Sequence, residues 1–154
     1  MAVDMFLKIA GIPGESTDAD HKDWIQISSF SFGLSNPGSA GVGRGAAVGR
    51  PTHQDLSFIH FTDKASPLLM SACSKGKHIP EATIAVRKAG GNQQDYLQYK
   101  LTDVLISSYQ TGGSNGGDRP GEEVALNFIK FEMQFVSDSG DVQNAGCSSK
   151  IQNP

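Results

Sequence analysis

Cysteine is scarce: Cys73 and Cys147 are the only two in 154 residues, they lie far apart, and they form no CxxC. Neither a disulfide framework nor a zinc site is implied. An excess of positive charge is also missing, since 13 Lys and Arg stand against 16 Asp and Glu for a net charge of −3. A nucleic-acid binder needs a basic field, and the longest basic cluster, Lys75, Lys77 and His78, reads instead as charge near a helix C-terminus. No run of about 18 apolar residues occurs, so no membrane-spanning helix is expected. Residues 1–10 alternate in strand fashion and contain Asp4 and Lys8, which interrupts any signal-peptide apolar stretch and leaves synthesis and folding in the cytoplasm as the expectation.

Catalytic and cofactor signatures are equally thin. Gly38 to Arg44 has the spacing of a phosphate-binding loop, but Arg44 stands where Lys is needed and Gly45 where Ser or Thr would hold magnesium. No strand-then-helix pattern surrounds it, and GxGxxG is absent. His21, His53, His60 and His78 show no HxH or HExxH spacing; His60 alone lies on an apolar strand face and reads as a core or interface histidine bonded to a neighbour. No GxSxG elbow exists. Glu122 and Glu123 are adjacent in a strand, point to opposite faces and cannot share a proton. Asp18, Asp20 and Asp23 with His21 lack the glycine and closing glutamate of a calcium loop and read as a solvated loop. No catalytic, cofactor-binding or metal-binding residue is assigned, and no cofactor is expected.

What remains is a chain the size of one domain, rich in glycine and in alternating segments. Of its 18 glycines, five fall between Gly38 and Gly49 and five between Gly112 and Gly121, without the three-residue period of collagen. Val3, Met5, Leu7 and Ile9 recur at every second position. Trp24 to Leu34 alternates through Ile25 and Ile27, then through Phe30, Phe32 and Leu34, with a phase slip at Ser28 and Ser29 that predicts a bulge or sharp bend. Further strands are predicted over Gln54 to Thr62, Ala82 to Arg87, Tyr96 to Gln110 and Glu122 to Val136, with a turn at Gly90 to Asn92 and a second phase change in the last strand. One helix is predicted over residues 66–75, capped by Asp63 or Ser66, with Pro67 in its first turn, Gly76 as its left-handed stop, and Leu68, Leu69, Ala72 and Cys73 as its packing stripe. From Ser137 to Pro154 no periodicity is visible, so a polar mobile tail is expected beyond a domain of residues 1–136. The fold class is all-β: a closed antiparallel barrel or two-sheet sandwich with one flanking helix. Phe58 to Phe61 and Phe128 to Phe131 place large side chains on both strand faces, which favours cover by another copy of the chain.

Several segments then carry a resemblance. Residues 1–9 (MAVDMFLKI), Gly14-Glu15-Ser16, Ser29 to Gly33 (SFSFG), Gln54 to Phe58 (QDLSF), Asp63 to His78 (DKASPLLMSACSKGKH), Arg87 to Gly91 and Ser107 to Gly113 followed by Asp118-Arg119 closely resemble the Hcp family, the haemolysin-coregulated tube protein of the bacterial type VI secretion system. The match runs in order from Val3 to about Phe135; Phe30 and Phe32 stand where relatives often carry Trp. The resemblance implies a β-barrel with a flanking helix, assembled into a homohexameric ring with a wide pore, and rings stacked into a tube. It implies as partners a valine-glycine repeat spike at the tip, a surrounding contractile sheath and effector proteins in the lumen. It also implies export to the extracellular space or into a target cell without a signal peptide.

Within that frame the loop from Asn36 to Pro51, with Gly38, Gly41, Val42, Gly43, Arg44, Gly45 and Gly49, is the expected ring-stacking loop, because a head-to-tail contact closes the ring, stacking needs a second contact along the axis, and its glycines restrict the backbone little. Ser29 and Ser31 are the expected lumen-facing and cargo-facing residues, Ser31 lying between two phenylalanines that point the other way. The alternatives are a monomeric β-barrel that binds a small ligand or carbohydrate through its glycine loops and, weakened by the missing motifs, a serine or histidine hydrolase.

Overall fold

The computed structural model describes residues 3–36, 51–88, 94–117 and 119–148. Among these described residues ten strands and one helix follow one another as β1 (Val3–Ile9), β2 (Ile25–Ile27), β3 (Ser29–Ser31), β4 (Leu34–Ser35), β5 (Thr52–His53), β6 (Leu56–Phe61), α1 (Ser66–Lys75), β7 (His78–Lys88), β8 (Asp95–Gly112), β9 (Gly121–Val136) and β10 (Val142–Ser148). The main sheet runs β2-β1-β7-β8-β9-β6-β3, and every pairing in it is antiparallel. Its two ends are the two halves of one stretch of chain, so the sheet is a nearly closed barrel.

The closing step is the phase slip seen in the sequence. Ile25 and Ile27 are buried opposite Leu7 and Met5, and Phe30 and Phe32 then turn inward on the other parity, Phe30 opposite the fully buried Phe58. Ser28 lies at the corner, its N–H donating to the Ile59 carbonyl at 2.7 Å. A strand that reverses parity within two residues leaves one neighbour and joins another, which is how a bulge turns a sheet corner.

A second bend crosses three strands. Ile79 pairs with Val104 and Glu81 with Thr102, which sets Pro80 opposite Asp103; Val104 pairs with Phe128 and Thr102 with Lys130, which sets Ile129 opposite Asp103. At this line the buried residues jump by three, from Ile79 to Ala82, Leu101 to Val104 and Phe128 to Phe131. Asp103 adopts φ 54, a left-handed conformation that aspartate tolerates better than most residues. Pro80 has no N–H to give to a ladder, so it suits a point where pairing is interrupted. Phe128 and Phe131 therefore both face the core, as the phase change expected in the last strand implies, and the expectation that the segment Phe128 to Phe131 covers both faces is corrected for these two side chains.

The helix spans Ser66–Lys75 as expected and ends on Gly76 at φ 61, with Lys77 N–H on the Ala72 carbonyl. Its packing stripe is narrower than the sequence suggested. Leu69 and Ala72 are buried and Cys73 half-buried, whereas Leu68 and Met70 are exposed. Its N-cap position is Ala65, which offers no side-chain bond; the Asp63 carboxylate instead accepts the Ala65 N–H at 2.9 Å.

Two segments read as irregular make regular backbone pairings within the described residues. Beyond Val136 the chain turns at Ser137 to Asp141 and returns as β10, paired from Val142 on Val136 to Ser148 on Lys130. Periodicity gave no sign of it because an edge strand with exposed residues 142–146 needs no apolar face. Residues Gly11 to Asp23, read as a solvated loop, fold over the outer face of β1 and β7, where Gly14 N–H reaches the Asp23 carbonyl at 2.7 Å. A Cβ on Gly14 would sit 2.4 Å from the Trp24 carbonyl oxygen and 2.6 Å from the Ile25 Cα, both backbone atoms with nowhere to go. Gly14→Ala is therefore expected to destabilise the fold by about 3 kcal/mol or more, read as a shift of the urea midpoint; a wild-type midpoint would show that the loop is not docked as described.

Candidate functional site

Among the described residues no group of three or more His, Cys, Asp or Glu is disposed to hold a metal ion. The surface with the clearest functional character is the outer face of the sheet beside the closing corner. Register aligns Ser31 with Ser57, Ser57 with Ala125 and Ala125 with Ser108, a row of four small side chains across β3, β6, β9 and β8. Ser31 is exposed and Ser57, Ala125 and Ser108 are half-buried. The next row is Ser29, Ile59, Glu123 and Gln110, in which Ser29 is half-buried and Ile59 is 43% exposed. Ser29 and Ser31 thus both face outward, Ser31 in a row of small side chains and Ser29 beside exposed Ile59, while Phe30 and Phe32 point inward, Phe30 at 5.5 Å from Tyr99 and Phe32 at 5.1 Å from Phe131 between ring centroids.

Beside this face β4 and β5 form a two-stranded ribbon, Leu34 on His53 and Ser35 on Thr52, continued by the Gln54 N–H on the Gly33 carbonyl at 2.9 Å. The ribbon is rooted in the aromatic cluster by His53, 5.4 Å from Phe131. It holds both ends of the glycine-rich loop side by side. Gly38, Gly41, Val42, Gly43, Arg44, Gly45 and Gly49 themselves lie outside the described residues, as does the turn at Gly90 to Asn92.

Two polar clusters tie the connections to the barrel. At the end of β6, Glu122 is buried and satisfied on both oxygens: Tyr109 donates at 2.5 Å and Thr62 at 3.2 Å to Oε1, and Ser66 at 2.8 Å to Oε2. His60, also buried, brings Nε2 to 2.7 Å from Oε2, a close contact whose direction is poor for a hydrogen bond. The reading of His60 as a core histidine is correct, and Glu122 and Glu123 do point to opposite faces. Burial, aided by the Glu122 carboxylate, pushes the Tyr109 hydroxyl up to about 12, and burial also raises Asp63 above the usual carboxylate range.

The second cluster closes the Gly11 to Asp23 loop. His21 is buried, stacks on Phe6 at 4.4 Å, meets the edge of Trp24 and places Nδ1 and Nε2 each 2.8 Å from a carboxylate oxygen, of Asp18 and Asp95. The other oxygen of Asp18 takes Arg87 at 2.6 Å, and Arg87 also reaches Asp4 at 3.3 Å while lying over the Phe6 ring. Sequence reasoning missed this cluster, because Asp18, His21 and Arg87 meet only once β1 and β7 are paired.

Comparison with known proteins defines the class. The model of a family described as type VI secretion system effector, Hcp, matches residues 6–135. This is a type VI secretion protein. Protein hcp1 of Pseudomonas aeruginosa is 47% identical over 142 residues, 92% of this chain and 88% of that protein. The crystal structure of Hcp1 from Salmonella typhimurium superposes with a TM-score of 0.81 at 37% identity, covering 97% of this chain and 96% of that one. That of a type VI secretion system effector from Yersinia pestis gives 0.80 at 36% identity, covering 94% and 99%. The chain belongs to the Hcp family.

The loop cluster sets an acid limit on stability. Arg87 first, and then His21, hold the Asp18 carboxyl down at about 2 against an ordinary 3.8. Such a carboxylate contributes its stability fully above the ordinary value and loses it as pH falls through the folded-state value. Melting temperature measured against pH is expected to fall between these limits in the wild type. Asp18→Asn should be less stable at neutral pH and flatter over the acid range; an unchanged acid slope would remove Asp18 from this role.

Proposed function

We propose that this chain is the repeating subunit of a secretion tube: six copies form a ring around a wide pore, rings stack, and the tube is expelled with effector proteins in its lumen. It is a structural role rather than a catalytic one. The observation that carries the reading is the outer row of Ser31, Ser57, Ala125 and Ser108 beside exposed Ile59 and Phe61. A pore that releases varied cargo needs a lining without deep apolar pockets or strong charge, and a row of serines and an alanine meets that need. Apolar side chains left outside the barrel, among them Val3, Phe61, Leu68, Met70 and Phe135, supply surface that neighbouring subunits can cover. A ring requires two different surfaces that complement each other by rotation, and stacking requires a third contact along the axis. The ribbon of β4 and β5 presents the glycine-rich loop as that reaching contact. The valine-glycine repeat spike, the contractile sheath and the effectors are the partners this role calls for. The subunit waits in the cytoplasm and leaves with the tube for the extracellular space or a target cell. Residues 1–136 are the ring-building barrel, and residues 137–154 lie outside the matched family region.

Native mass measurement with negative-stain imaging tests the reading: six-fold rings are expected, and particles of monomer mass would return the protein to the ligand- or carbohydrate-binding barrels. Deleting residues 41–46 should leave rings and abolish tubes, so tubes that persist in micrographs would remove the stacking role of the loop. Replacing Ser31 with a bulky residue, as in Ser31→Gln, should spare assembly and reduce the effector that co-purifies. Undiminished co-purification would take Ser31 out of cargo contact.

A further inference from the structure

The second glycine cluster is not used by the tube reading, and it contains a reactive pair. The loop joining β8 to β9 turns at Ser114-Asn115-Gly116-Gly117, closed by the Gly117 N–H on the Ser114 carbonyl at 3.2 Å. Gly116 takes φ 84 and has open space where a Cβ would be, the arrangement of a turn whose third position requires glycine. Asn115 is exposed. We propose that Asn115 is a site of spontaneous covalent modification, converted to aspartate and isoaspartate through a succinimide formed with the backbone of Gly116.

The chemistry needs an asparagine amide carbon, a following backbone nitrogen that carries a hydrogen, and room for that nitrogen to approach. Base removes the Gly116 amide proton, and the nitrogen attacks Asn115 Cγ. A new N–C bond closes the five-membered imide, the Cγ–Nδ2 bond breaks, and ammonia takes up the proton and leaves. Water then adds to one of the two imide carbonyls and opens the ring to either product. No oxidant or reductant takes part.

The remaining asparagines fail one requirement or another. Asn36 and Asn153 precede proline, which has no amide hydrogen to lose. Asn92 precedes glutamine, whose side chain crowds the attacking nitrogen. Asn127 lies in β9 with its side-chain amide bonded to Asp55 at 2.9 Å, and Asn144 lies in β10 before alanine. Asn115 alone combines exposure, a following glycine and a turn whose closing bond is made by the next residue, leaving the Gly116 N–H outside it.

The product changes the subunit. Net charge moves by one unit, from −3 to −3 − 1 = −4, in a loop that leads to Arg119, whose guanidinium lies over the exposed Phe61 ring at 5.0 Å. Isoaspartate lengthens the backbone by one atom and cannot keep the Ser114 to Gly117 turn. None of this depends on ring formation.

The test ages the full folded chain in mildly alkaline buffer at body temperature and follows intact mass, peptide maps and methyl labelling by an isoaspartyl methyltransferase. Each converted chain should gain about one dalton, located in the peptide that holds Asn115, with methyl label appearing in the same peptide. Asn115→Gln, whose side chain must close a slower six-membered ring, should lose the label and slow the mass gain by about ten-fold while keeping the wild-type circular dichroism. The chain unfolded in urea is the control for the folded state. An Asn115 that keeps its amide in the folded chain while the unfolded chain converts would overturn the proposal, as would a mass gain undiminished in Asn115→Gln.

Discussion

Barrel closure through one shared strand is the constraint on which the other features rest. The segment Ile25 to Ser31 serves β1 with its first half and β6 with its second, and the parity change at Ser28 is the cost of serving both. Because parity changes there, Phe30 and Phe32 go to the core and Ser31 goes out. Had the alternation run on unbroken, the two phenylalanines would lie on the outer face and the serine inside, so the small outer row is a consequence of closure.

Closure also explains where the polar residues are spent. A barrel has few free edges but still has loops to hold, and here the two longest described connections near its ends are held by buried charged or polar groups. Glu122 gathers donors from Thr62 just past β6, from Ser66 in the helix and from Tyr109 in β8, fixing the helix N-terminus to the strands. Asp18 and His21 do the same for the Gly11 to Asp23 loop by way of Arg87 and Asp95. Buried carboxylates supplied with several donors hold position well and tolerate loss of a partner badly. Connections held in this way fit the repeating subunit proposed above, whose surfaces would have to meet copies of themselves in register.

Much of this was legible in the chain. The Ser28 slip, the helix with Pro67 at its start and Gly76 at its end, and the inward-outward assignment of Phe30, Ser31 and Phe32 all follow from local rules, because period and capping chemistry are local. The fold family followed from segments that resemble Hcp. What sequence could not supply depends on tertiary pairing. Pro80, Asp103 and Ile129 form one bend only when three strands are aligned, and His21 becomes buried only when Phe6 and Arg87 lie beneath it. The strand Val142–Ser148 carries no apolar period, and its residues 142–146 are exposed. Spacing places Leu68 in the packing stripe, yet the helix buries only Ser66, Leu69 and Ala72 and leaves Leu68 exposed.

In the proposed tube the outer face beside the closing corner faces the pore. An electron cryomicroscopy reconstruction of tubes assembled from this chain tests it most directly. Ser29, Ser31, Ser57 and Ser108 are expected on the pore wall, facing open lumen, with the loop of residues 36–51 reaching the adjacent ring. Density that places this serine row against a neighbouring subunit or on the outside of the tube would contradict it.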